Sequence, residues 1–222
     1  MSDGFIIKRG GGETYAAFKA LVDGSLTEVT AEMLDGITVI NTNAFSSRTS
    51  LSSITIPNGV TSIGASAFNN CASLSSIQIP NSVRSIGNSA FYNCTSLSSI
   101  TIPNGVTSIS GYVFSNCTSL SSITIPNGVI SMGQEAFRYC TSLSSITIPN
   151  GVTIMGQEAF RYCTSLTSVT VKSATPPTLG FGVFYNGSSN LVIYVPAESV
   201  DAYKSASGWS TYADRIQAIP SE

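Results

Sequence analysis

Apolar residues recur along this chain at a fixed spacing. Leu51, Leu74, Leu97, Leu120, Leu143 and Leu166 stand 23 residues apart, and so do Phe45, Phe68, Phe91, Phe114, Phe137 and Phe160. Cys71, Cys94, Cys117, Cys140 and Cys163 keep the same interval. Each unit reads approximately Leu-Ser-Ser-Ile-Thr-Ile-Pro-Asn-Gly-Val-Thr-Ser-Ile-Gly-x-x-Ala-Phe-x-x-Cys-Thr-Ser. So short a unit cannot bury its own apolar side chains, whereas stacked copies share a continuous core, and the period therefore predicts a solenoid.

Inside a unit, Ile54-Thr55-Ile56 alternates apolar and polar residues, which predicts a strand with one buried face. Pro57 stops it, because proline donates nothing to a ladder, and Pro-Asn-Gly is turn chemistry. One copy has Ser82 in place of the glycine, so the turn tolerates a side chain there and any left-handed residue should be the preceding Asn. Val60 to Ile63 forms a second extended segment, and Gly64 to Asn70 fits one short helical turn that aims Phe68 inward. Seven coils at about 4.8 Å each predict a rod of roughly 33 Å.

The ends depart from the repeat, as caps that shield an exposed core must. Residues 1–35 read as an N-terminal tail and helical cap, with a short helix from Glu13 to Val22 and a second that Thr30 caps and that runs through Leu34. Residues 36–196 form the solenoid, whose last coil places Ile193-Tyr194-Val195 against Val169-Thr170-Val171 at a spacing of 24. Residues 197–222 form a C-terminal helical cap, with Val200, Tyr203 and Trp209 laid on the final coil and Trp209 as the plug.

The unit Leu-Ser-Ser-Ile-Thr-Ile-Pro with Ile-Gly-x-x-Ala-Phe-x-x-Cys resembles the BspA-like, Treponema-type class of leucine-rich repeats over about residues 36 to 196. That resemblance implies an α/β repeat fold rich in strand: a leucine-rich-repeat solenoid with a parallel sheet on its concave face. It also implies a bacterial surface or secreted protein of adhesin type. The family supplies no recurring catalytic motif.

Composition narrows the chemistry. Only 10% of residues are charged, against about 25% in typical soluble domains, and Ser and Thr cover the surface instead. Histidine is absent, which removes imidazole as general base or metal ligand. A net charge of −2 gives no footprint for nucleic acid, and no apolar run is long enough to insert in a membrane. The start MSDGFIIKRGGG shows no apolar core of a secretory signal. Five cysteines without close pairs or carboxylate partners read as free thiols filling the core, so no cofactor or metal is expected. Between Leu51 and Val171 the only carboxylates are Glu135 and Glu158, which argues against catalysis.

Two arrays could carry binding. The outward strand positions Ser76, Gln78, Ser99, Thr101, Ser122, Thr124, Ser145 and Thr147 form an uncharged hydroxyl lattice suited to a glycan, a peptide backbone or the ordered water of an ice surface. The segment Gly-Gln-Glu-Ala-Phe-Arg-Tyr-Cys occurs twice and sets Arg138, Tyr139, Arg161 and Tyr162 on one ridge, with Glu135 and Glu158 placed to pair locally. The expected protein is a monomeric, non-catalytic binding solenoid for a protein or glycan, at the cell surface or secreted. The alternative is a structural spacer or phage tail-associated rod, in a virion or the cytoplasm.

Overall fold

The computed structural model describes residues 24–221. The helix expected from Glu13 to Val22 lies outside them. The chain winds as a parallel-strand solenoid of about eight turns, one more than the repeat count suggested. Among the described residues the first seven coils each contribute a strand to two separate walls.

The first wall is built from Glu28–Val29, Ser53–Thr55, Ser76–Gln78, Ser99–Thr101, Ser122–Thr124, Ser145–Ile148, Ser168–Val171, Val192–Val195 and Ile216–Ala218. Ser53 lies opposite Ser76, Thr101 opposite Thr124, and Ser145 opposite Ser168, so identical positions stack. The second wall uses two-residue strands such as Ser62–Ile63, Ser108–Ile109 and Ile154–Met155. The central isoleucine of every Ser-Ile-Thr strand points inward and is buried, while its neighbours face out. Alternation of side chains across a strand imposes this division.

Glu28–Val29 and Ile216–Ala218 pair with the strands beside them, so the first wall runs past both ends of the 36–196 segment. Neither carries the Pro-Asn-Gly stop that marks a unit. After the first strand a 3-10 turn covers Glu32–Leu34, and its N-cap is Ala31 with no side-chain bond rather than Thr30. At the other end Trp209 is fully buried and its indole N–H donates to the Pro177 carbonyl at 2.7 Å, the plug that its position implied. The Tyr203 ring meets it edge-on at 4.8 Å.

Two local expectations fail. The Pro-Asn-Gly turns close with Val60 N–H donating to the Pro57 carbonyl, and neither the Asn nor the Gly adopts positive φ. Such a turn suits L residues at both central positions, which is why Ser82 fits. The segment Gly64 to Asn70 is not helical. Its amides alternate: Ala67 and Asn69 bond back three residues within the coil, while Ser66, Phe68 and Asn70 donate to Asn88, Ala90 and Tyr92 of the next coil. A helix would turn its later amides onto its own carbonyls and would not offer every second amide to the next coil.

Positive φ at Ser66 and Asn70, Glu135 and Tyr139, Glu158 and Tyr162 turns those amides along the solenoid axis. Gly64 lets the coils close up, since a side chain there would stand 2.5 Å from the Thr42 backbone nitrogen. Beneath this wall the phenylalanines stack face to face, with centroids 5.2 Å apart for Phe45 on Phe68 and for Phe137 on Phe160. Each thiol below them is buried and free, and donates to a carbonyl of the coil before, Cys71 to Phe45 at 3.0 Å.

Candidate functional site

The hydroxyls of this protein fall into two classes. In one, a side chain donates to a backbone carbonyl one coil earlier: Ser75 to Ser52 at 3.2 Å, Thr95 to Ala72 at 3.3 Å and Thr118 to Thr95 at 3.4 Å. Thr61 and Thr153 do the same on the second wall, each at 3.2 Å. These groups lace the coils together. The other class is the outward face of the first wall. Among the described residues, Ser99, Thr101, Ser122, Thr124, Ser145 and Thr147 are exposed, and their hydroxyls make no hydrogen bond within the protein. Ser76 and Gln78 share that state.

That open face is dished. A depression of about 460 Å3 spans four coils, lined by Ser99, Thr101, Ser122, Thr124, Ser145 and Thr147 over a floor of isoleucines. Its rim adds Asn127, Pro149 and Lys172, none of them singled out by periodicity. Lys172 was legible as an exception, because it occupies the repeat position held by Pro57, Pro80, Pro103, Pro126 and Pro149. Replacing proline restores a donor, and the Lys172 amide bonds to the Ile148 carbonyl at 3.0 Å. The strand before it covers Ser168–Val171 and pairs over its whole length with Ser145–Ile148.

The second predicted cluster assembles on the turn ridge, away from this wall. Arg138 pairs with Glu135 at 2.7 Å and reaches Glu158 of the next coil at 3.6 Å, while Arg161 pairs with Glu158 at 2.6 Å. Tyr139 stacks on Tyr162 with centroids 4.5 Å apart. The guanidiniums lie over the rings, Arg138 at 5.0 Å from Tyr139 and Arg161 at 4.8 Å from Tyr162. The within-coil pairs were readable from spacing. The link between coils and the ring stack needed the structure.

The thiols offer no reactive site. Burial pushes Cys71 up to about 11 and Cys117 and Cys163 up to about 12, so no thiolate forms near neutral pH. No group of His, Cys, Asp or Glu among the described residues could hold a metal ion. No helix among them is long and apolar enough to cross a membrane.

The model of the BspA type leucine-rich repeat region matches the sequence in six copies, over residues 16–140 and 86–206. The chain belongs to the BspA-type leucine-rich repeat family. A leucine-rich repeat protein of Treponema pallidum is similar in structure, with 33% identity, a TM-score of 0.66, and 72% of this chain and 76% of that one covered. A leucine-rich cell surface protein of Faecalibacterium prausnitzii is similar at 27% identity and a TM-score of 0.56. That match covers 76% of this chain but 59% of the Faecalibacterium protein. No curated protein matches the sequence. Within this family the chain is a leucine-rich repeat protein of bacterial surface-protein type.

Proposed function

We propose that this chain is a non-catalytic binding module of the bacterial surface, which holds a protein or glycan ligand on the open hydroxyl face of its first wall. The observation that supports the reading is the division of hydroxyls. Those on the ridge and second wall bond to carbonyls of the neighbouring coil, whereas the face from Ser99 to Thr147 keeps its donors and acceptors for solvent or ligand. Neutral hydroxyls both donate and accept, so a repeated lattice binds by many weak contacts. The volume of about 460 Å3 lies within the usual range of ligand clefts, about 300–1,000 Å3. Similarity to a named cell surface protein supports the location.

Binding to matrix proteins and to a glycan array tests it. The wild type should retain a ligand that a variant carrying Thr101→Lys and Thr124→Lys loses. Equal binding by both, or binding to nothing, would contradict the reading.

A further inference from the structure

Lys172 sets one chemical condition on the ligand. The three ion pairs among the described residues all lie on the Glu-Arg ridge. Arg84 is turned onto the Asn81 carbonyl at 2.6 Å. Lys172 alone brings charge to the rim of the depression, exposed and without a carboxylate partner among the described residues.

Beside it stands an aromatic side chain. Tyr194 is the outward residue of Val192–Val195 and lies opposite Thr170, so it sits one strand over from Lys172 and two residues back, on the same face. Along that row Gln78, Thr101, Thr124, Thr147 and Thr170 hold the equivalent positions in earlier coils. The face therefore runs from hydroxyls to a ring and an ammonium. A protein partner seated on this face would ordinarily be anchored by a cluster of aromatic and arginine side chains in a dry centre, and this end of the face offers one ring, Tyr194, with no arginine in the depression. A sugar chain needs hydroxyl contacts, a flat ring to stack on and, where it is acidic, one cation.

Resting on the proposed function, we infer that the ligand class is an acidic oligosaccharide laid across the strands, its carboxylate at Lys172, one ring on Tyr194 and its hydroxyls along Thr147 and Thr124. The probes are uronate and sialylated oligosaccharides, each beside its neutral methyl ester, titrated into the full chain. The acids should bind roughly fivefold more tightly than their esters, the size of one exposed charge contact. Lys172→Gln should remove that preference, so that acid and ester bind alike. Tyr194→Ala should weaken acid and ester alike and keep their ratio, which separates lost stacking from lost charge.

Esters that bind as well as acids, a Lys172→Gln protein that keeps the preference, or an acidic peptide bound more tightly than every sugar would overturn the inference. Esters that bind the wild type as well as the acids do, and are lost by the Thr101→Lys and Thr124→Lys protein, would overturn the role of charge and leave the proposed function standing. Failure of every sugar and peptide to bind would remove the proposed function with it.

Discussion

The sheet face and the turn ridge are built by the same period, yet they treat their polar groups in opposite ways. On the ridge, Glu135, Arg138, Glu158, Arg161, Tyr139 and Tyr162 pair with one another, and the backbone amides beneath them bridge to the next coil. On the face, Ser and Thr side chains of the same coils bond to nothing within the protein. Periodicity alone thus marks structure on one side and opportunity on the other. A satisfied ladder stiffens the stack, and an unsatisfied, solvent-facing one is free to meet a ligand.

The largest test breaks the core that both regions share. A thiol whose pKa is raised by burial stabilises the fold fully below the ordinary value of 9.0, and that contribution is lost as pH climbs toward about 12. Unfolding free energies from urea titration should therefore hold steady from neutral pH to about pH 8.5 and fall above pH 9, by on the order of 1 kcal/mol for a thiol such as Cys117 at pH 10. Phe137→Ala removes one ring from the stack beneath the ridge and should cost about 3–5 kcal/mol by denaturant titration. Because repeats unfold by neighbours, hydrogen exchange should localise that loss to the coils around Phe114 and Phe160.

Breaking the ridge alone is milder. Glu158→Gln takes the anion from between Arg138 and Arg161 and should lower Tm by roughly 1–3 °C, with binding unchanged. Smallest for the fold is the face itself. Thr124→Ala should alter stability by no more than about 0.5 kcal/mol while weakening ligand binding, the reverse of the ridge variant.

Much of this was legible beforehand, for physical reasons. Burial of Leu74, Phe68 and Cys71 follows from apolar identity at fixed spacing, and strand direction follows from the alternation of Ile54, Thr55 and Ile56. The outward hydroxyl row followed from the same alternation. The left-handed residues were not legible, because that conformation falls on Ser66, Asn70, Tyr112, Glu135 and Tyr162 alike, and a glycine takes the place only in the last coil, at Gly182. Axial hydrogen bonding selects those positions, and side-chain identity does not report it. The extra strand at each end was hidden because Glu28–Val29 and Ile216–Ala218 share only the pairing, not the motif. Which hydroxyls are engaged also escaped the pattern, since Thr118 and Thr124 each have a threonine one coil behind them, and only the local backbone brings the Thr118 hydroxyl to the Thr95 carbonyl.

The central claim is that binding belongs to the face and not the ridge, and threonine methyls report on both within the same coils. Thr101, Thr124 and Thr147 lie on the open face, whereas Thr95, Thr118 and Thr141 are tied to carbonyls one coil away. Methyl-labelled protein titrated with the acidic oligosaccharides should show shifts at Thr101, Thr124 and Thr147 and silence at the other three. Shifts at Thr95, Thr118 and Thr141 with an unmoved face would contradict the account.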